Sequence, residues 1–230
     1  MARPRAIVTD VEGTTSSIAF VHDVLFPYAR ARLAAYVADH PEAVAPILDQ
    51  VRAEAGEPAM DEAACIAHLI DWHNADRKIG PLKTLQGLIW AQGFTSGALR
   101  GHVYPDAVEG LRRWHRAGVA LYVYSSGSRA AQRMVFGHTD FGDLTPLFSG
   151  HFDTGVGGKK DAASYRVIAG AVGLPPRDIL FLSDVAEELD AAEQAGFAVT
   201  LLAREGALPS SRHPVARDFT SILPDKATAA

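Results

Sequence analysis

The stretch Ala6-Ile7-Val8-Thr9-Asp10 is an apolar, largely β-branched run, and Val11-Glu12-Gly13-Thr14-Thr15 follows it directly. Three later runs share its character and also lead into polar residues: Val119–Tyr124, Ile179–Asp184 and Phe197–Leu202. Runs that are apolar at nearly every position are typical of strands buried on both faces, and helical patterns lie between them. The sequence therefore predicts an α/β fold with a parallel sheet.

Residues 19–100 have a different pattern, because helical periodicity replaces the strand signal. Turns are predicted at Gly56-Glu57-Pro58 and at Ile79-Gly80-Pro81. We expect residues 1–18 and 101–230 to form the α/β core and residues 19–100 to form an inserted helical cap. The alternative is that these helices pack directly on the sheet. The helical repeats are Val44, Ile47, Leu48 and Val51, then Ile66, Leu69, Ile70 and His73, then Leu82, Leu85, Leu88 and Ile89.

The composition excludes several classes of protein. A net charge of -5, with acidic and basic residues interleaved over 230 residues, offers no basic stripe for nucleic acid. The single cysteine, Cys65, rules out an internal disulfide and a cysteine-based zinc site. Met1–Thr9 lacks the apolar core of a secretory signal, and no later stretch reaches the roughly 20 apolar residues of a membrane span. We expect a cytoplasmic protein without a membrane segment, with a loose tail from about Leu223.

Three carboxylates follow two of the predicted strands. Asp10 and Glu12 are two residues apart, so in extended geometry their side chains point the same way, and Asp184 ends another strand. Each like-charged pair at about 5 Å costs roughly 3 kcal/mol at an effective dielectric near 20. A set of oxygen ligands without histidine favours Mg²⁺, completed by waters and a substrate phosphate. Alternatively, the three acids cap separate turns.

Two segments are suited to binding an anion. Ser125-Ser126-Gly127-Ser128 ends a strand and precedes a helical pattern, so its amides and hydroxyls can surround a phosphate. The glycine-rich stretch from Gly155 to Lys160 brings two lysines to the start of another helix. The helix dipole disfavours positive charge there, and a bound anion would offset this cost. The alternatives are simple helix capping by serine and a solvated pair of lysines.

These residues together indicate a phosphatase for a small phosphorylated metabolite. A carboxylate such as Asp10 can attack phosphorus and divide a slow hydrolysis into two steps, with Mg²⁺ reducing the charge repulsion. Glu12 can donate a proton to the leaving oxygen and then activate water. Signatures of serine hydrolases, zinc proteases and Walker nucleotide sites are absent from the sequence.

The order of these residues resembles the haloacid dehalogenase superfamily of phosphohydrolases, whose first motif is Asp-x-Asp-Gly-Thr. Here that motif is Asp10-Val11-Glu12-Gly13-Thr14, and the glutamate is similar to the enolase-phosphatases of methionine salvage. The resemblance spans nearly the whole chain. It continues in Ile18–Val21, Leu25–Tyr28, Leu85-Gln86-Gly87 with Trp90, Tyr124–Ser128, Phe136-Gly137-His138 and Gly150–Thr154.

The resemblance implies a Rossmann-like core with a helical cap, in a monomer that binds one Mg²⁺. The implied reaction converts 2,3-diketo-5-methylthiopentyl 1-phosphate to acireductone and phosphate, with enolisation and dephosphorylation in one site. By position, Asp10 is the nucleophile and a metal ligand, Glu12 the acid/base and a metal ligand, and Asp184 the third protein ligand. The other implied residues are Ser125, Ser126 and Lys159 for substrate, with Glu188 supporting the metal from outside its ligand shell.

The base that removes a proton from carbon during enolisation is not identified. Glu12 is one candidate, and the cap segments offer His22, Asp23, Lys83 and Gln86.

Three rival functions stay open: a phosphatase of the same superfamily without enolase activity, a phospho-acceptor signalling module, and a metal-independent dehalogenase. The dehalogenase leaves Glu12 and Asp184 without a purpose.

Overall fold

The computed structural model describes residues 3–206 and 208–223. The chain divides into two compact units, one comprising Met1–Ile18 with Gly101–Ala230 and the other Ala19–Arg100. Each unit has hydrophobic clusters of its own. Nearly all of the tail that the sequence predicts to be loose lies outside the described residues. In the part of the chain that the structure describes, every helix is too short or too polar to span a bilayer.

Within the described residues, the larger unit contains one parallel sheet of six strands in the order β3-β2-β1-β4-β5-β6. β1 is central, since Ala6 is in register with Ala120 of β2 and with Ile179 of β4. The predicted parallel α/β fold is confirmed. The strands are β1 Ala6–Thr9, β2 Ala120–Tyr124, β3 Gly150–Phe152, β4 Ile179–Ser183, β5 Ala198–Leu202 and β6 Val215–Ala216.

The central strand is buried on both faces, as its apolar run predicts. Ile7 packs into one hydrophobic cluster, whereas Ala6 and Val8 pack into a second cluster on the opposite face. Because all strands are parallel, the residues that follow β1, β2 and β4 lie at the same edge of the sheet.

The smaller unit is helical. Three of its four long helices carry the predicted repeats, and α3 buries all four of its members, Val44, Ile47, Leu48 and Val51. In the other two repeats Leu69, Leu82, Leu85 and Ile89 are buried, Ile66, Ile70 and His73 are half-buried, and Leu88 is exposed. Gly80-Pro81, predicted as a turn, instead forms the first turn of α5, where a proline costs no backbone hydrogen bond. Among the described residues the α-helices are α1 Ile18–Phe20, α2 Phe26–Asp39, α3 Pro41–Ala55, α4 Glu62–Asn74, α5 Gly80–Thr95, α6 Pro105–Arg116, α7 Arg129–Gly137, α8 Ala162–Val172 and α9 Ala186–Gln194, with a π-helical turn at Val21–Leu25 between α1 and α2.

Candidate active site

The chain folds back on itself immediately after β1. The amides of Thr14, Thr15 and Ser16 all donate to the carbonyl of Val11, at 3.2, 3.0 and 2.8 Å. The amide of Asp10 donates to the carbonyl of Leu182 in β4 at 2.9 Å. The Asp10 residue is only 3% exposed, so a carboxylate is buried at the edge of the sheet.

Asp184 lies against this loop, directly after β4. Gly13 has φ +76°, and a Cβ added there would lie 2.2 Å from Asp184 Oδ2, so only glycine permits this approach. The other oxygen, Asp184 Oδ1, is buried without a hydrogen-bond partner. An unpartnered buried carboxylate oxygen is costly, and a cation offsets that cost.

Lys159 is the predicted residue that most clearly reaches Asp10. Its Nζ lies 2.6 Å from Asp10 Oδ1 and 2.7 Å from Glu188 Oε2, and all three side chains are at most 10% exposed. Ser183 Oγ also donates to Glu188 Oε2, at 2.9 Å. Lys160 differs, because its side chain is 65% exposed and its Nζ lies 3.7 Å from Glu187 Oε1. Of the two predicted lysines, only Lys159 points into the buried cluster.

The protonation equilibria follow from this burial. Burial raises the pKa of Asp10 to about 8; the Lys159 ammonium opposes the shift, and Glu12 and Glu188 add to it. Burial also raises the pKa of Asp184. For Lys159, burial lowers the pKa, but the carboxylates of Asp10 and Glu188 outweigh it and raise the pKa above its usual range. A further cation at this position favours the ionised, nucleophilic form of Asp10.

The predicted serine segment contacts Glu12. Ser125 Oγ donates to Glu12 Oε2 at 3.0 Å and accepts from the Gly127 amide at 3.0 Å. Ser125 is buried, whereas Ser126 is exposed. Ser128 Oγ accepts from the Ala131 amide and caps α7. Ser125 therefore fixes the orientation of the Glu12 carboxylate.

Two supports of the site are missed by the sequence reasoning. Gln132 Nε2 donates to the carbonyls of Gly127 and Phe152, both at 2.8 Å, and its Oε1 lies 3.1 Å from His151 Nδ1. Gln132 comes four residues after the predicted cap Ser128, and His151 belongs to a segment that carries the resemblance, yet neither fact shows that they meet.

The second missed support is Arg204, whose Nε and Nη2 donate to the Thr14 carbonyl at 2.9 and 2.6 Å. Its Nη1 forms an ion pair with Asp106 Oδ2 at 2.6 Å. The guanidinium therefore joins the loop after β1 to Asp106 of α6. A lone arginine after the fourth predicted strand gives no sequence signal for this contact.

The residues present fit a hard divalent cation in part. Asp10 and Asp184 provide buried oxygens, one of which has no partner. Among residues 3–206 and 208–223, no three acidic, histidine or cysteine side chains form a group able to hold a metal ion by themselves. Mg²⁺ commonly uses one or two carboxylates together with waters and substrate phosphate, so two suffice. The assignment of Asp10, Glu12 and Asp184 as metal ligands stays a prediction.

The candidate enolisation residues of the smaller unit differ in burial. Gln86 is buried, and its Nε2 lies 3.0 Å from Nδ1 of His73 on α4. His22, Asp23 and Lys83 are exposed. Gln86 is therefore engaged inside the helical unit.

Comparisons with known proteins place the chain in a family. A family model described as a haloacid dehalogenase-like hydrolase matches residues 4–196. The enolase-phosphatase E1 of Methylococcus capsulatus is 53% identical over 223 residues, covering 96% of this chain and 98% of that protein. That of Azotobacter vinelandii is 57% identical over 222 residues, covering 96% and 97%. The solved structure of the UTR4 protein of Saccharomyces cerevisiae has a TM-score of 0.82 at 30% identity and covers 96% of this chain and 100% of that one.

The matches cover nearly the whole chain, so they include both compact units. They confirm the resemblance that the motifs after β1 and β2 indicate, and they confirm that the chain is a hydrolase. The chain belongs to the enolase-phosphatase E1 family of haloacid dehalogenase-like hydrolases.

Proposed function

We propose that the chain converts 2,3-diketo-5-methylthiopentyl 1-phosphate to acireductone and phosphate in methionine salvage, with one Mg²⁺ per monomer. The observation that carries this proposal is the buried Asp10 carboxylate, 2.6 Å from Lys159 Nζ, in a chain more than half identical to enolase-phosphatases E1. A buried carboxylate beside a fixed ammonium is arranged to receive a phosphoryl group.

The phosphatase half of the reaction has two steps. An oxygen of Asp10 attacks phosphorus while the bond from phosphorus to the substrate C1 oxygen breaks, and the Glu12 carboxyl gives its proton to that oxygen. Water then attacks the aspartyl-phosphate as Glu12 takes a proton from it, which releases phosphate and restores Asp10. Ser125 supports this role of Glu12, since its hydroxyl orients the carboxylate.

The remaining roles concern charge. Lys159 balances negative charge on Asp10 and on the bound phosphate, and Glu188 holds the ammonium from the opposite side. We assign Ser125 and Ser126 to substrate binding. Asp10, Glu12 and Asp184 would hold Mg²⁺, which when bound reduces the repulsion between the carboxylate and the phosphate. The unpartnered Asp184 Oδ1 supports this assignment.

We also propose a location and an oligomeric state for the chain. The lone Cys65 is buried and free, which suits the reducing cytoplasm that we propose as the location.

We also propose that the protein is a monomer. Sedimentation of the purified protein at several concentrations tests this assignment, because a dimer would increase the sedimentation coefficient as the concentration rises.

The test incubates the protein with the diketo phosphate and Mg²⁺ while ultraviolet absorbance and free phosphate are followed together. The proposal predicts a strongly absorbing enediol and an equal amount of phosphate. Phosphate without the chromophore would indicate a phosphatase that lacks enolase activity. Release of neither would reject the proposal, and the Asp10→Asn variant serves as the control that should release no phosphate.

A further inference from the structure

Three buried hydroxyls donate to three successive carbonyls of the loop that carries Lys159. Tyr124 Oη donates to the Gly157 carbonyl at 2.9 Å, Ser164 Oγ to the Gly158 carbonyl at 2.8 Å, and Tyr165 Oη to the Lys159 carbonyl at 2.6 Å. The residues Tyr124, Ser164 and Tyr165, which we call the hydroxyl clamp, are 0%, 1% and 0% exposed.

The loop has little freedom around these bonds. Gly157 has φ +127°, and a Cβ added there would lie 2.2 Å from Ser164 Oγ, so the backbone passes directly against the clamp. The ring of Tyr165 packs edge-on against Tyr124, Phe181 and Phe197, with centroids 5.1 to 5.7 Å apart. The ring packing therefore restricts the Tyr165 side chain that donates to the loop.

The clamp ends where the Lys159 side chain begins. Beyond the third carbonyl, the lysine extends to Asp10 Oδ1 and Glu188 Oε2, and its Nζ lies 6.0 Å from the Tyr124 ring centroid. Gly155, Gly157 and Gly158 precede it, and such a glycine-rich stretch is flexible unless its backbone groups are bonded. Fixing the backbone reduces the number of positions that the ammonium can occupy.

We infer that Tyr124, Ser164 and Tyr165 are positioning residues that act through Lys159 and hold its ammonium at the phosphoryl site. This inference rests on the proposed role of Lys159 in phosphate binding. Misplacing such a group by about 1 Å costs up to about a hundredfold in rate. Burial raises the pKa of both tyrosines, so their hydroxyls stay protonated donors at neutral pH.

The first experiment uses Tyr165→Phe, which removes the hydroxyl and keeps the ring. The kcat/KM for the diketo phosphate should fall about tenfold, because a buried carbonyl loses its donor and the lysine loop is released. In a Lys159→Ala background the same substitution should change kcat/KM little, since the residue through which it acts is gone. A decrease of equal size in both backgrounds would overturn the inference. Tyr122→Phe, on the same strand as Tyr124, is the matched control and should behave as the parent.

The second experiment needs no catalytic activity. Acetylation of lysines by a limiting amine reagent, read by mass spectrometry, should be slow at the buried Lys159 and fast at the exposed Lys160. In folded Tyr165→Phe, acetylation of Lys159 should accelerate severalfold while Lys160 is unchanged. Unchanged protection of Lys159 would contradict the clamp. Ser164→Ala replaces Tyr165→Phe in both experiments if the latter does not fold.

The two experiments separate failure of the clamp from failure of the proposed function. Loss of Lys159 protection in a protein that never hydrolyses the diketo phosphate leaves the clamp standing and removes the function. If the parent hydrolyses the diketo phosphate, and the clamp variants keep the parent's kcat/KM and its protection of Lys159 from acetylation, the function stands and the clamp is rejected.

Discussion

Helix α9 takes part in two charged clusters that differ in the burial of their carboxylates. At its start, Glu188 meets Lys159 and Asp10, and the three side chains are at most 10% exposed. Further along, Arg212 forms ion pairs with Asp190 at 2.6 Å and with Glu193 at 3.1 Å, and His213 Nε2 lies 2.7 Å from Asp190 Oδ1. In this second group the Asp190, Glu193 and Arg212 side chains are 47% to 63% exposed, and only His213 is buried.

The comparison shows that burial, more than the number of charges, marks the site. In the exposed cluster, hydrogen bonds from Arg212 and His213 lower the pKa of Asp190. In the buried cluster, loss of water raises the pKa of Asp10 to about 8. A buried carboxylate whose charged form is destabilised can gain free energy when a cation or a substrate binds to it. An exposed carboxylate that is already paired and solvated gains little.

The largest expected effect is that of Asp10→Asn. This change removes the nucleophile and should reduce kcat for phosphate release about a thousandfold or more, while the fold is retained. Steady-state phosphate release with circular dichroism as a folding control measures it. Substantial turnover by a folded variant would refute covalent catalysis by Asp10.

Asp184→Asn should have the next largest effect. The amide lacks the charge that would hold a divalent ion, so the Mg²⁺ concentration for half-maximal activity should rise about a hundredfold. A titration of activity with Mg²⁺ measures the shift. Asp190→Asn on α9 is the matched control, and an equal shift in both variants would remove the distinction between the clusters.

Lys159→Ala and Lys160→Ala compare a buried and an exposed lysine that are adjacent in sequence. Loss of Lys159 should weaken phosphate-ester binding about thirtyfold, because a desolvated charge is removed from the site. Loss of Lys160 should have little effect, since its partner Glu187 is equally exposed. Inhibition by inorganic phosphate measures both variants, and equal inhibition constants would contradict the assignment.

The two clusters should differ in how folding stability changes with pH, because the pKa of Asp10 is raised and that of Asp190 is lowered. The pKa of Asp10 in the folded state, about 8, exceeds its ordinary value of 3.8. Between these pH values the folded state holds a proton on Asp10 that the unfolded state has lost. The free energy of unfolding of the parent therefore falls as the pH rises through this range. With metal removed by EDTA, the free energy of unfolding of Asp10→Asn minus that of the parent should therefore increase from about pH 4 to pH 8. Urea denaturation at several pH values tests this. A difference that falls with pH would show that burial does not dominate at Asp10.

The smallest effect is expected from Arg212→Ala in the exposed cluster. Its pairs with Asp190 and Glu193 are solvated, so kcat/KM should be unchanged and the denaturation midpoint should move little. The residual effect should grow at low salt, where charges are screened less. A large loss of activity would mean that the outer end of α9 also supports the site.

The sheet could be predicted from sequence wherever a strand is a continuous apolar run. β1, β2, β4 and β5 are such runs, within one residue of the predicted bounds. β3 and β6 were missed because they have three and two residues, and β3 begins with a glycine. Short strands at the edges of a sheet are determined by their neighbours more than by their own residues.

The site residues that could be predicted from the sequence are those that directly follow a predicted strand. Asp10, Asp184 and Ser125 follow β1, β4 and β2, so topology brings them to one edge. The partner of each side chain could not be predicted, because partners come from distant segments. Tyr124 and Tyr165 look like core aromatics in the sequence, and only the structure reveals which carbonyls their hydroxyls meet.

Trapping the covalent intermediate tests the role of Asp10 most directly. Enzyme mixed with the diketo phosphate and Mg²⁺ is quenched during turnover, reduced with borohydride and digested for mass spectrometry, since borohydride converts an aspartyl-phosphate to homoserine. Covalent catalysis by Asp10 predicts homoserine at position 10 and none in the Lys159, Asp184 or Glu188 peptides. Continued release of phosphate with Asp10 unmodified would contradict it.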